Sequence, residues 1–139
     1  MNGPFLLDTN VLSELVRPKP AAKVVQFVES VQEPWISSLT LHELTYGSER
    51  VRDAARRAKL LAWLVAIEAR FSGWTVAVDA QVAATAGRMR AAAESRGHVC
   101  DPVDSLIAAC AVSVGATLAT RNLKHFEPFG ISVLDPWEG

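Results

Sequence analysis

The sequence predicts an α/β fold, with a short, mainly parallel sheet of about five strands and helices on both faces. Two observations point there. Short apolar segments rich in β-formers alternate with longer segments of helical periodicity, the pattern of parallel strands joined by crossover helices. The size also suits one such sheet: 139 residues, half of them hydrophobic and 21% charged, make a single domain with a core and fall short of two. No internal repeat or linker interrupts the alternation.

Pro4 to Asp8 reads as a buried strand that ends in an acid. A helix from Val11 to Val16 follows, stopped by Pro18 and Pro20. Residues 21–32 place Val24, Phe27, Val28 and Val31 on one helical stripe, with Pro34 as the stop. Trp35 to Ser38 is the second strand. Helices from Leu41 to Arg50 and from Ala54 to Phe71 come next, the longer one carrying Leu60, Leu64, Ile67 and Phe71 at helical spacing. Trp74 to Val78 is the third strand. Asp79 caps an Ala-rich helix that runs to Arg96 and stops at Gly97. Asp101-Pro102 opens a helix through Val114 that ends at Gly115; it is apolar all round from Leu106 to Val112, as in a helix buried on several sides. Thr117 to Ala119 and Ile131 to Leu134 are the fourth and fifth strands.

Charge narrows the function classes. Fourteen Lys and Arg against fifteen Asp and Glu leave a net charge of −1, which excludes a globally basic nucleic-acid coat and an acidic tail protein but not a local basic face. Two cysteines, Cys100 and Cys110, make neither a disulfide framework nor a four-thiolate zinc site, and suit a reducing compartment. No signal peptide opens the chain and no apolar run reaches membrane-spanning length. The expectation is a soluble cytoplasmic protein without a membrane partner.

In parallel α/β sheets, ligands bind beyond the carboxyl ends of the strands. Asp8 closes the first strand, Glu43 lies in the first turn of the helix after the second, and Asp104 sits in the first turn of the buried helix. Together they offer hard oxygen ligands suited to Mg²⁺ or Mn²⁺. A divalent ion offsets their mutual repulsion and can activate water against a phosphodiester. Each acid also has a structural reading. Thr40 and Glu43 have the spacing of a capping box, Asp104 can complement the dipole of a helix capped by Asp101, and Asp8 can cap the first helix. Glu14, Glu29, Glu33, Glu49, Glu68 and Glu94 read as surface charges, and Asp135 as a turn residue. No competing chemistry is present. Ser37, Ser38 and Ser105 lack a nucleophile-elbow setting, and His42, His98 and His125 lack zinc spacing.

At these residues the chain resembles PIN domains, in particular VapC-type toxins of type II toxin–antitoxin systems. The matching segments are residues 5–14 (FLLDTNVLSE), 36–47 (ISSLTLHELTYG), 102–109 (PVDSLIAA) and 118–122 (LATRN), continuing to His125-Phe126. They occur in the family's order and cover nearly the whole chain. The resemblance implies one PIN domain over residues 1–139, a PIN-like three-layer fold, and a Mg²⁺-dependent endoribonuclease, with Mn²⁺ as the alternative ion. Carried over by motif position, Asp8, Glu43 and Asp104 form the catalytic centre, with Asp8 and Asp104 as direct metal ligands. Thr9 and Asn10 belong to the first motif and stand near the metal or its water. Where many members carry a fourth acid, this chain has Asn122 and His125. Asn122 can orient water without adding charge, and His125 can donate to a phosphate.

RNA requires positive charge at the rim. Arg121 and Lys124 are the candidates for phosphate contacts, because they fall beside the fourth motif. The stretches Arg50 to Lys59 and Arg88 to Arg96 read as solvated helix faces. The resemblance further implies a homodimer and a cognate VapB-like antitoxin that covers the acidic site; Leu12, Leu15 and Val16 are candidates to line its groove, with core packing the stronger explanation for any one of them. The alternatives are a PIN fold that binds RNA or protein without catalysis, and a haloacid-dehalogenase-like phosphatase. The second lacks its Asp-x-Asp pair, because residue 10 is Asn.

Overall fold

The computed structural model describes residues 3–138. Five parallel strands form one sheet in the order β3-β2-β1-β4-β5, with β1 at Pro4–Leu7, β2 at Glu33–Ser37, β3 at Thr75–Val76, β4 at Thr117–Ala119 and β5 at Val133–Leu134. The helices are α1 (Thr9–Glu14), α2 (Ala22–Ser30), α3 (Ser38–Glu49), α4 (Ala54–Arg70), α5 (Ala80–Ser95), α6 (Pro102–Ser113) and α7 (Leu123–Phe126), and a 3₁₀ turn follows at Glu127–Phe129. Among the described residues no helix is long and apolar enough to cross a membrane.

The two-residue period of β1 divides the core into two layers. Phe5 and Leu7 point to one face, where they join Val11 and Leu12 of α1, Val24 and Phe27 of α2, and Leu64 and Ile67 of α4. Leu6 points to the other, against Val82 and Ala86 of α5, Ile107 to Ala111 of α6, and Phe126 of α7. Because both faces of β1 are covered, its apolar run is continuous rather than alternating. In register, Leu7 pairs with Ala119, so the carboxyl ends of β1 and β4 finish level with each other. The Asp8 N–H still bonds the Ala119 carbonyl at 2.9 Å.

The expected five strands are all present, with β3 and β5 shorter than their apolar segments. The structure departs from the local reading in three places. First, Pro34 does not stop the helix before it: α2 ends at Ser30, and Pro34 lies in β2 opposite Phe5. β3 pairs only with Ile36 and Ser37, so β2 is an edge at Pro34 and its missing N–H breaks no ladder. Second, the N-cap of α3 is Ser37, whose Oγ accepts from the Leu39 and Thr40 amides at 3.0 and 3.3 Å. Thr40 therefore lies inside the helix, the capping-box reading fails, and Glu43 moves from the first turn to the second. Third, α7 and the 3₁₀ turn fill a stretch with no sequence expectation, because a single turn shows no periodicity. Gly97 and Gly115 do end α5 and α6, at φ of 90° and 64°; in both cases the next residue's N–H bonds back five residues, His98 to Ala93 and Ala116 to Ala111.

Candidate active site

The level ends of β1 and β4, with the N-terminal parts of α3 and α6, enclose a cleft of about 470 Å³ whose lining includes Asp8, Thr9, Asn10, Glu14, Glu43, Asp104, Arg121 and Asn122. All three principal acids therefore face one space. Asp8 is the most buried, 7% exposed, and caps α1 through Oδ1, which accepts from the Thr9 amide at 2.8 Å. Its Oδ2 accepts from the Thr120 hydroxyl at 2.8 Å. Burial pushes its pKa up, opposed by these two bonds and by His125.

Glu43 is tied to Asp8's neighbour. The Thr9 hydroxyl donates to Glu43 Oε1 at 3.2 Å and lies 3.0 Å from the Thr40 hydroxyl. An ionised carboxylate only accepts, so Thr9's hydrogen goes to Glu43 and the buried Thr40 donates to Thr9. Glu43 is raised by desolvation and by the charges of Asp8 and Asp101, against Thr9 and His42. Asp104 sits in the first turn of α6, which Asp101 caps by accepting from the Val103 amide at 2.7 Å. Desolvation raises Asp104, with the like charges of Asp101, Asp8 and Glu43 adding to it. His125 Nδ1 stands 3.5 Å from Asp104 Oδ2, and an imidazole at that place works against the rise.

This electrostatic pattern is a test of fit for a divalent cation. Carboxylates driven up by desolvation and by one another form a site of excess negative potential, which a hard cation relieves. Among the described residues, no group of three His, Cys, Asp or Glu side chains stands close enough to hold an ion unaided.

The remaining sequence candidates divide. Asn10 Nδ2 donates to Thr120 Oγ1 at 3.3 Å and its Oδ1 accepts from the Arg121 amide at 3.3 Å, so it braces the loop after β4. Asn122 lines the cleft, and its amide N–H donates to Thr120 Oγ1 at 3.1 Å. Arg121 lines the cleft; Lys124 is exposed on α7 and is not in its wall.

Sequence reasoning assigned no role to three residues that shape the site. Thr120 is fully buried and connects Asp8, Asn10 and Asn122. Its signal is its place one residue past β4, level with Asp8 one residue past β1. Glu14 is not a surface charge: it is 6% exposed, accepts from the Ala21 amide at 2.8 Å, and pairs with Arg17 at 3.4 Å. Trp137 lines the cleft with the Arg121 guanidinium 4.9 Å above its ring.

A second, more apolar groove of about 770 Å³ shares Thr9, Ser13, Arg17 and Glu43 with the cleft and continues past Leu15, Val16, Leu60 and Trp63 to Arg56 and Lys59. Leu15 and Val16 line it as expected. Leu12 does not, since it is fully buried in the core under β1.

The PIN domain family matches residues 5–128. The toxin FitB of Neisseria gonorrhoeae is 33% identical over 136 residues, 96% of this chain and 98% of its own. The tRNA(fMet)-specific endonuclease VapC of Shigella flexneri is 34% identical over 134 residues, 96% of this chain and 97% of its own. The crystal structure of FitAcB from N. gonorrhoeae superposes with a TM-score of 0.93 at 32% identity, covering 97% of this chain and 99% of that one. The family model, the relatives and the superposition all cover most of the chain: the chain belongs to the PIN domain family, among its VapC-type ribonuclease toxins.

Proposed function

We propose that this chain hydrolyses RNA phosphodiester bonds at the Asp8–Glu43–Asp104 cleft with Mg²⁺ as its ion, and that a VapB-like antitoxin holds it in check. The observation that carries the reading is the convergence of three carboxylates, each raised by burial and two of them by their mutual charge, on one cleft. PIN ribonucleases as a family depend on a divalent metal. Asp8 and Asp104 would hold the ion, which when bound supplies Lewis-acid polarisation of phosphate and water. Asp8, which lines the cleft, is aimed by the Thr120 hydroxyl, the Thr9 amide and Asn10 Nδ2, the last at 3.5 Å. Glu43, fixed by Thr9, is placed to accept a proton from the attacking water. Asn122 and Arg121 face the same space and would orient water and phosphate, while His125 beside Asp104 would donate to a phosphate oxygen.

The apolar groove is the place for the antitoxin. It opens into the cleft at Thr9 and Glu43, so a segment lying on Leu15, Val16 and Trp63 would reach the acids and block RNA. The chain would work as a homodimer in the cytoplasm. The alternative is a PIN fold that binds RNA or protein without catalysis, and cleavage separates the two readings.

The test is cleavage of total RNA and of isolated tRNA with Mg²⁺, with Mn²⁺ and with EDTA, for the unaltered chain, Asp8→Asn and Asp104→Asn. Cleavage that requires the ion and drops at least a hundredfold in both variants supports the reading. Cleavage unchanged in both variants refutes the site, and RNA binding without cleavage favours the binding module.

A further inference from the structure

We infer that Trp137 is a positioning residue: its indole holds the Arg121 guanidinium at the mouth of the acidic cleft, ready for an RNA phosphate. The inference rests on the proposed ribonuclease reading and adds a residue to it.

Two arginines stand in the wall of the cleft. Arg17 is engaged, with Nη1 3.4 Å from the buried Glu14 carboxylate. Arg121 is not: among the described residues it forms no ion pair, although Asp8, Glu14, Glu43 and Asp104 line the same space. It lies over the Trp137 ring instead, 4.9 Å from the centroid. That choice of partner matters chemically. A carboxylate would consume the forked N–H donors, whereas an aromatic face contacts the flat side of the guanidinium and leaves its donor edge free for phosphate.

Both members of the pair are anchored. The Arg121 amide donates to Asn10 Oδ1 at 3.3 Å, in the loop that Thr120 ties to Asp8. The Trp137 amide donates to Asp135 Oδ1 at 2.8 Å, and the indole packs on the core layer under β1. A long, exposed arginine thus has its conformational freedom reduced before RNA arrives, which lowers the entropy lost on binding. The guanidinium also covers one face of the indole, so the pair is built to meet backbone rather than to stack a base.

The test reads binding apart from chemistry. A fluorescein-labelled mixed-sequence RNA 12-mer is titrated with the full chain in EDTA across a range of KCl, and kcat and KM are measured in Mg²⁺. Trp137→Leu should weaken binding about three- to tenfold and raise KM with little loss of kcat, and Trp137→Phe should restore most of it. Arg121→Ala should lower the salt slope by roughly 0.7, the value of one phosphate contact on a single strand. In the Arg121→Ala background, Trp137→Leu should do nothing further. The inference is overturned if the two losses add. It is equally overturned if Trp137→Leu weakens poly(A) and poly(U) unequally with the salt slope intact, which is base stacking. If Trp137→Leu is not folded by circular dichroism, Trp137→Met alone and combined with Arg121→Ala gives the same cycle. Absence of cleavage by the unaltered chain refutes the ribonuclease reading, and the binding cycle then still decides the role of Trp137; absence of RNA binding overturns both.

Discussion

The Thr120 hydroxyl donates a 2.8 Å hydrogen bond to Oδ2 of Asp8, joining residues 112 apart in sequence. Thr120 has no exposed surface, and its oxygen also accepts from Asn10 and from the Asn122 amide. One hydroxyl therefore sets both the orientation of the central carboxylate and the path of the loop beyond β4.

Thr120→Val keeps the shape and removes the donor. It should lower divalent-cation affinity about 10- to 100-fold, as loss of a hydrogen bond to a ligating carboxylate does, and should cost about 1–3 kcal/mol of stability. Calorimetric titration with Mn²⁺ and urea denaturation measure the two effects. Thr120→Ser should stay near the unaltered protein in both.

The three raised carboxylates make a signed prediction about pH. Their ordinary values are 3.8 for Asp8 and Asp104 and 4.5 for Glu43, and all three are raised in the folded chain. Between the ordinary and raised values the folded protein binds more protons than the unfolded one, so stability contributed by these groups falls as pH rises through that window and is flat above it. The metal-free melting temperature, taken relative to an Asp8→Asn/Asp104→Asn protein, should therefore fall as pH climbs from about 4. Adding Mg²⁺ should reduce the fall. A relative melting temperature that rises across the window contradicts the assignment.

Glu14 supplies what α2 lacks. Its N-cap is Ala21, which has no capping side chain, and the Glu14 carboxylate accepts from the Ala21 amide instead. Glu14→Ala should cost about 1–3 kcal/mol by leaving that amide without its partner, whereas Glu14→Gln keeps an acceptor and should recover most of the loss. Urea midpoints at constant m-value measure it.

The Thr40–Thr9–Glu43 relay predicts a graded effect on turnover. Thr9→Val leaves Glu43 in place without its donor and should lower kcat about tenfold, equivalent to ~1.4 kcal/mol. Glu43→Gln should cost more, and Thr9→Ser should be close to unaltered. Equal losses in Thr9→Val and Glu43→Gln would mean that Thr9, not Glu43, carries the step.

Most of the sheet was legible because each strand is a short apolar run closed by a polar residue or a proline, and parallel topology follows from the alternation. The acids were legible for the same reason: a carboxylate at the end of a buried strand has few structural explanations. What stayed hidden depends on neighbours far along the chain. Ser37 and Thr40 compete as caps, and the choice rests on where β2 ends. Glu14 has the helical phase of a surface charge, and only the return of the chain at Ala21 covers it. Thr120 and Trp137 gain meaning from strand register and from a stacking partner, neither of which is written in local sequence.

Strand order has a consequence for how the protein is made. β1 is synthesised first and lies at the centre, but its partner β4 and the Thr120 donor come more than a hundred residues later. A chain growing from the ribosome carries Asp8, Glu43 and finally Asp104 before it has the strand that levels and aims them. The acidic edge is thus completed only after the fourth strand has been made, so its carboxylates stand unaimed through most of the synthesis of the sheet.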